Sequence, residues 1–244
     1  MPAAFVRSFL VMRILVVADI HANWTALSAI DEEFDACFCV GDIVDYGTQP
    51  KRCIDWVREH ASVSVRGNHD HAVAQHVTPR SGGGFRLLAA ATRPLHWKEL
   101  EPESITWLAQ LPVTQYVELG GHSFHLVHAT PRDPMDEYLT KESEWVQRLE
   151  GFDADFILVG HTHIPMHIFA GATQLVNPGS VGQPRDGNTT ASYAIIEDGA
   201  VELKRVEYDI DAELEQVRRA GVSGEAYEIS RKVLRDGLLR REPE

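Results

Sequence analysis

The chain has 244 residues, a formal net charge of −13 and a hydrophobic content of 44%. That length and apolar content suffice for one large α/β domain over residues 1–244, and no linker divides the sequence. The acidic charge argues against nucleic acid as a partner, because proteins bind its phosphates through clustered lysine and arginine.

The N-terminal segment predicts neither a membrane anchor nor a secretion signal. Its apolar stretch, residues 3–11, is too short for a transmembrane helix, is interrupted by Arg7 and lacks a convincing signal-peptide cleavage site. We interpret residues 1–12 as an extension ahead of the first strand, and we expect no membrane partner.

The first part of the chain alternates strands and helices in a β-α-β rhythm. Strands are predicted at 14–18, 36–40 and 62–65 from their short apolar runs. A helix is predicted after the N-cap Asn23, with the apolar stripe Trp24, Leu27, Ile30 and Phe34, and a second helix begins at Pro50. The three strands are followed, in order, by Asp19-Ile20-His21, by Gly41-Asp42 and by Gly67-Asn68-His69-Asp70.

The second part begins with a helical pattern over residues 85–111. We interpret it as an insertion that borders the site and selects the substrate. A strand at 156–159 precedes Gly160-His161-Thr162-His163. The other predicted elements are strands at 115–118, 123–128, 174–176, 191–197 and 201–208 and helices at 211–219 and 224–240.

The chain has three cysteines, an odd number, and each lies on a predicted strand or helix. Cys37 and Cys39 alternate on a strand, and Cys53 lies on an apolar helix face. Such positions are typical of buried reduced thiols, so we expect a cytoplasmic protein.

The polar clusters after the strands carry the ligands of a predicted metal centre. Loops at the ends of strands in an open α/β sheet converge on one crevice, so residues far apart in sequence can meet there. Glycines in these clusters, Gly41, Gly67 and Gly160, are interpreted as tight turns that need permissive backbone angles. The candidate ligands are Asp19, His21, Asp42, Asn68, His128, His161 and His163.

Oxygen and imidazole ligands without cysteine disfavour a structural thiolate zinc site. They suit two divalent ions, with manganese as the first expectation and iron, zinc, cobalt or nickel as alternatives. Seven ligands exceed what one ion with open positions would take, whereas two ions about 3.5–4 Å apart need one shared carboxylate. Asp42 is the candidate bridge. His128 is preferred to His122 because it lies at the end of its predicted strand.

The motifs D-x-H, G-D-x-x-D, G-N-H-D, a lone histidine after a strand and G-H-x-H occur in this order from Arg13 to about Gly187. In this respect the chain resembles the calcineurin-like metallophosphoesterase superfamily. Its length and the sequence Asn177-Pro178-Gly179-Ser180 are most similar to the small bacterial and archaeal phosphodiesterase branch. The resemblance implies a four-layer α/β/β/α sandwich of two mixed sheets flanked by helices.

The resemblance also implies a role for each matching residue. It places Asp19, His21 and His163 on one metal, places Asn68, His128 and His161 on the other, and sets Asp42 between them. It makes His69 the proton donor and Asp45 its orienting partner. One position departs from the pattern, because the protein Ser/Thr phosphatases of the superfamily have a phosphate-holding arginine where this chain has Tyr46. Arg185 and Asn23 are candidate substrate contacts, and each could equally be structural, Asn23 as a helix cap and Arg185 as a solvated loop charge.

We therefore expect a binuclear metal-dependent phosphoesterase in which a metal-bridging hydroxide attacks the phosphorus atom. Its substrate is expected to be a small phosphoester, a phosphodiester before a phosphomonoester. Two alternatives stay open: a non-catalytic protein-binding scaffold of the same fold, and a metal-dependent nuclease. The sequence leaves the oligomeric state open.

Overall fold

The computed structural model describes residues 11–80 and 82–238, so most of the predicted extension 1–12 lies outside the described residues. The strands are β1 Arg13–Val17, β2 Ala36–Cys39, β3 Val63–Ser64, β4 Thr114–Leu119, β5 His122–Val127, β6 Phe156–Leu158, β7 Met166–Ala170, β8 Thr173–Asn177, β9 Ala191–Glu197 and β10 Ala200–Val206. The helices are α1 Trp24–Leu27, α2 Pro50–His60, α3 Asn68–Ala74, α4 Phe85–Glu99, α5 Pro102–Gln110, α6 Glu142–Arg148, α7 Ile210–Arg219 and α8 Gly224–Asp236.

The strands form two mixed five-stranded sheets. The first sheet has the order β10-β9-β1-β2-β3, in which β1, β2 and β3 run parallel and β9 runs antiparallel to both of its neighbours. The second has the order β4-β5-β6-β8-β7, with β5, β6 and β8 parallel and antiparallel strands at both edges. The parallel strands in the middle of each sheet therefore end on the same side, where the ligand loops follow.

The two sheets pack face to face through alternate residues of their strands. Val16 and Phe38 of the first sheet share one buried cluster with Phe124 and Phe156 of the second. The ring of Phe124 stacks on that of Phe156 at 5.0 Å and meets that of Phe38 edge-on at 5.3 Å. Because side chains alternate along a strand, the intervening residues face outward and are covered by helices.

Helices cover the outer faces of both sheets. Ile54 and Val57 of α2 pack on the outer face of the first sheet, and α1, α3 and α5 contribute to the same cluster. Trp145 of α6 packs on the outer face of the second sheet. The protein is thus a four-layer α/β/β/α sandwich, as predicted. No helix within the described part of the chain is both long and apolar enough to cross a membrane.

Three predicted helices differ from the observed ones. The helix predicted to reach Phe34 ends at Leu27. The N–H groups of Ala29 and Ile30 bond to carbonyls three residues back, which tightens the chain into turns. Ile30 and Phe34 still pack on the core. The helix predicted at 224–240 ends at Asp236, where Gly237 takes a left-handed conformation with φ 62°, and residue 240 lies outside the described residues.

The predicted helical segment 85–111 consists of two helices, α4 and α5. Leu100 and Glu101 are extended, and Pro102 begins α5. Glu101 precedes this proline, and the helical conformation is unfavourable for a residue in that position. Helix α4 packs on α8 with Tyr46 in the same cluster. The strand predicted at 62–65 is shortened to Val63–Ser64. The strand predicted at 201–208 is shifted to Ala200–Val206. The three cysteines are free and buried, as predicted.

Candidate metal centre

The loops that follow the central strands bring the predicted ligands to one end of the sandwich. Asp19 and Asp42 follow adjacent parallel strands of the first sheet, and His128 and His161 follow adjacent parallel strands of the second. Ligand positions in these loops share an uncommon backbone conformation with positive φ, at Asp19, His21, Asp42, His161 and His163. Non-glycine residues rarely adopt this conformation, and it concentrates at functional sites, where the surrounding structure holds the strain.

Glycines permit the close approach of these loops, and the predicted reason holds for only one of them. Gly41 has a φ of 87°, which glycine adopts freely, in agreement with the prediction. Gly67 and Gly160 have ordinary backbone angles and are needed for space instead. A methyl group on Gly67 would lie 2.0 Å from Oδ1 of Asp42, and one on Gly160 would lie 3.0 Å from Oδ2 of Asp19.

The ionisable side chains form two groups that share Asp42. The first contains Asp19, His21, Asp42 and His163, and the second contains Asp42, His128 and His161. Within each group the candidate ligand atoms lie within 4.8 Å of one another. Asn68 adjoins both groups, since the next residue, His69, donates its backbone N–H to Oδ1 of Asp42 at 2.9 Å.

Backbone carbonyls orient three of the histidines. Nδ1 of His21, His128 and His163 lies 3.1, 2.8 and 2.6 Å from the carbonyls of Val44, Val40 and Gln183. A carbonyl only accepts hydrogen bonds, so each Nδ1 carries the proton and each Nε2 is left as a potential ligand. This arrangement is usual for metal-binding histidine, where the second nitrogen fixes the ring and its tautomer.

Nitrogen lone pairs face each other in the first group. Burial lowers the pKa of His21 to about 3 and holds that of His163 well below its usual range, so both rings are neutral near neutral pH. Their Nε2 atoms nevertheless lie 3.1 Å apart. Two acceptors at this distance repel unless a cation lies between them, and 3.1 Å suits adjacent ligands that bind one ion at about 2.1 Å.

Other buried polar atoms also match a metal centre. Among the described residues, Oδ2 of Asp19 and Oδ1 of Asn68 have no hydrogen-bond partner, and Nε2 of His128 lies 3.2 Å from Oδ2 of Asp42. Burial opposes protonation of His128, but the Asp42 carboxylate outweighs it and raises the pKa of His128 to about 10, so without a metal Nε2 holds a proton, and a bound cation would take the place of that proton. Unpartnered buried donors and acceptors are costly, and excess negative charge here attracts a cation. The residues present therefore fit divalent metal ions.

Asp70 holds the loop that contains Asp42. Its Oδ2 accepts the backbone N–H groups of Asp42 and Gly67 at 2.8 and 3.0 Å, and its Oδ1 accepts those of Ile43 and Val44 at 2.8 and 3.2 Å. The side chain is fully buried. Asp70 thus determines where the shared carboxylate lies without being a ligand itself, a role that the sequence analysis did not assign.

His69 and Asp45 form a hydrogen-bonded pair beside the ligands. Nδ1 of His69 lies 2.7 Å from Oδ2 of Asp45, and the same carboxylate oxygen is bound by Arg93 of α4, whose Nε lies 3.1 Å away. Burial opposes protonation of His69, but the carboxylates of Asp42 and Asp45 outweigh it and raise the pKa of His69. The pair is arranged to hold a proton beside the ligands.

The sequence analysis did not identify Arg93, whose role becomes visible from the burial of its helix. The buried positions of α4 include Thr92, Arg93 and His96, three polar residues on the inward side of the helix. Thr92 and His96 accept the backbone N–H groups of Tyr46 and Asp45, respectively. Buried polar residues at helical spacing mark a hydrogen-bonded network, and here they join α4 to Asp45.

The two candidate substrate contacts differ in how many of their polar atoms already have hydrogen-bond partners. Arg185 is half-buried, its guanidinium lies 4.1 Å from the centre of the Phe85 ring, and its Nε has no hydrogen-bond partner among the described residues. Asn23 is buried and caps α1, accepting from the N–H of Ala26 at 2.9 Å and donating to the carbonyl of Gly182 at 3.0 Å. Arg185 therefore retains hydrogen-bonding capacity, whereas both groups of the Asn23 carboxamide are occupied.

Comparisons with known proteins agree with this geometry. A family model of the calcineurin-like phosphoesterase superfamily domain matches residues 12–199. An uncharacterized protein of Methanocaldococcus jannaschii, MJ0912, is 34% identical over 227 residues, which cover 84% of this chain and 91% of that protein. The crystal structure of a metallophosphoesterase from Sphaerobacter thermophilus superposes with a TM-score of 0.79 at 32% identity, covering 94% of this chain and all of the other. The hypothetical protein PH1004 from Pyrococcus horikoshii has the same fold, with a TM-score of 0.77, 20% identity and coverage of 89% and 97%.

Proposed function

The chain belongs to the calcineurin-like phosphoesterase superfamily, and from this premise we propose that it hydrolyses phosphodiester bonds of small substrates with two divalent metal ions. The observation that carries the proposal is the sharing of Asp42 by two ligand groups, next to the His69–Asp45 pair. The shared carboxylate supports two ions, and the pair supports proton transfer in their immediate neighbourhood.

The metal ligands in this proposal are those of the sequence analysis. Asp19, His21 and His163 would hold one ion, Asn68, His128 and His161 the other, and Asp42 both. Manganese is the first candidate metal, because oxygen and nitrogen ligands without thiolates suit it. When bound, the ions supply a water activated for attack and positive charge for the phosphoryl oxygens.

His69 acts as the general acid. It is adjacent to the ligand Asn68 but is itself outside both ligand groups, so its proton is free to move to the leaving oxygen. Asp45 binds Nδ1 of His69, which leaves Nε2 as the atom that donates. Arg93 binds the same oxygen of the Asp45 carboxylate, so the imidazole is oriented from α4 as well as from its own helix.

Arg185 binds the phosphoryl group from the side of the first ligand group. Its backbone N–H donates to the carbonyl of His163 at 3.3 Å, which supports a place for the side chain beside this group. Stacking on Phe85 orients the guanidinium plane, and guanidinium N–H groups bind phosphate oxygens through charge-assisted hydrogen bonds. One such arginine suits the single negative charge of a diester. Asn23 stays a predicted substrate contact, although its carboxamide is already bonded to Ala26 and Gly182.

The leaving group provides the test of this mechanism. Metal-reconstituted His69→Ala should hydrolyse an alkyl phosphodiester at least about a hundredfold more slowly than the wild type. A p-nitrophenyl diester should lose much less, because its leaving group hardly needs a proton. Elemental analysis should find both metals still bound. The matched control is His76→Ala, the removal of an exposed histidine that stacks on Trp97.

Other outcomes would assign the protein differently. Equal losses for the two diesters, with metal content intact, would remove His69 from the acid role. Faster cleavage of single-stranded DNA than of any small diester would favour the nuclease alternative. Binding of metals without turnover of any mono- or diester would favour the scaffold.

A further inference from the structure

Tyr138 is an exposed aromatic side chain held against the metal ligands. Its ring lies 5.5 Å from that of His161 at an interplanar angle of 70°. Its hydroxyl donates to the carbonyl of Thr162 at 3.1 Å, between the two histidines of the G-H-x-H motif. The residue is nevertheless 50% exposed. The hydroxyl is thus satisfied by the protein while part of the ring is open to solvent.

The loop that carries Tyr138 is tied down on both sides of the ring. The neighbouring Glu137 accepts from the hydroxyl of Thr130 at 2.5 Å and pairs with Arg148 of α6. On the other side, the indole N–H of Trp145 donates to the carbonyl of Leu139 at 3.1 Å. Because these bonds connect the loop to the end of β5 and to α6, the ring has a fixed place beside the second ligand group. A fixed aromatic ring binds a flat partner with little loss of conformational entropy.

His69 lies beside the first ligand group, next to His21. Its ring is 5.1 Å from that of His21 and 4.5 Å from that of Tyr46. A phosphodiester carries two organic groups, and the one that leaves must reach the general acid. The group that stays on phosphorus points elsewhere, and Tyr138 lies at a different part of the ligand set from His69.

We propose that Tyr138 forms an aromatic subsite for the ester group that stays on phosphorus, and that the substrates are diesters in which this group bears a planar ring, aryl or nucleobase. The inference rests on the proposed phosphodiesterase activity. Offset or edge-to-face aromatic contacts and base stacking on tyrosine supply the attraction, and they tolerate different rings because every ring has a π-face.

A pair of substrates with one leaving group isolates this subsite. Bis(p-nitrophenyl) phosphate and methyl p-nitrophenyl phosphate both release p-nitrophenolate, but they retain an aryl group and a methyl group, respectively. The measured quantity is the ratio of kcat/KM for the aryl substrate to that for the methyl substrate. Differences in intrinsic reactivity cancel when this ratio is compared between variants.

Tyr138→Ala should lower that ratio about threefold to tenfold, with metal content unchanged. Tyr138→Phe should keep most of it, because the ring is retained, and Tyr138→Leu should lose most of it, because apolar bulk without a flat ring remains. The matched control is Tyr116→Ala, since Tyr116 is 51% exposed on the edge strand β4 and should leave the ratio at the wild-type value.

The outcomes separate this inference from the activity on which it rests. If the wild type hydrolyses both diesters and Tyr138→Ala changes them by the same factor, or changes neither, the subsite is refuted. Full retention of the ratio by Tyr138→Leu would refute its aromatic character. If the metal-loaded wild type hydrolyses neither diester, the proposed function itself fails.

Discussion

The variant Asp70→Asn should unfold at a much lower urea concentration than the wild type. Asparagine has the same shape but presents an amino group in place of one oxygen. In either orientation that group faces two backbone donors, the N–H groups of Asp42 and Gly67 or those of Ile43 and Val44. Each buried donor left without an acceptor costs about 1–3 kcal/mol, so two cost about 2–6 kcal/mol. A domain has about 5–15 kcal/mol in total, so the loss is a large share.

The assay is urea unfolding of the wild type and Asp70→Asn, both in excess chelator so that metal binding does not contribute. The free energies of unfolding are compared from the midpoint and slope of each transition. Asp155→Asn is the control. Among the described residues, Asp155 accepts side-chain hydrogen bonds at Oδ2 alone, from the N–H and hydroxyl of Ser123 at 2.8 and 2.9 Å, and the position is exposed. Asparagine can therefore keep an oxygen there. A cost for Asp70→Asn below about 1 kcal/mol, or no larger than that of the control, would refute the reasoning.

Three further results are expected. Asp42→Asn should lower the occupancy of both ion sites, whereas His163→Ala should chiefly empty one; anomalous scattering measures this, and loss of a single ion in Asp42→Asn would contradict the bridge. Arg185→Ala should raise the KM of accepted phosphoesters by about tenfold to a hundredfold, since a hydrogen bond to a charged group contributes about 1.5–3 kcal/mol. An unchanged KM for every substrate would exclude the contact. Burial raises the pKa of Glu213 to about 7 from an unfolded value of 4.5, so the folded chain holds a proton that the unfolded chain loses in this range. In chelator, wild-type stability should therefore fall between pH 5 and 8 relative to Glu213→Gln, by about 1–3 kcal/mol, and parallel pH profiles would contradict this.

The ligand clusters could be predicted because each follows a short apolar strand. A strand that ends in Asp-x-His or Gly-Asp is visible without the fold, and convergence at one end of parallel strands is a general rule. The contacts of Asp70 and Arg93 could not be read in this way. Asp70 acts on the backbone of a loop almost thirty residues earlier in the chain, and Arg93 acts through Asp45 across the insertion. Such contacts depend on tertiary packing, which no local pattern encodes.

Helix α6 and strand β7 were not predicted, because few of their residues are buried. Helix α6 buries only Trp145, so its sequence has no apolar stripe. Strand β7 lies at a sheet edge, where only Ile168 is buried and Phe169 is 61% exposed, so the alternation is short. The helix predicted to continue to Phe34 shows the reverse case, since apolar residues at helical spacing also pack from an irregular segment.

Each candidate ion site takes ligands from both sheets. Asp19 and His163 belong to one group and Asp42 and His161 to the other, so each bound ion would connect segments more than a hundred residues apart. Free metal at a hundred times the dissociation constant adds about 2.7 kcal/mol to the free energy of unfolding for each such site. Metal supply would then set the lifetime of the protein in the cell as well as its catalytic state, because the metal-free form would present its unfolded chain to proteases more often.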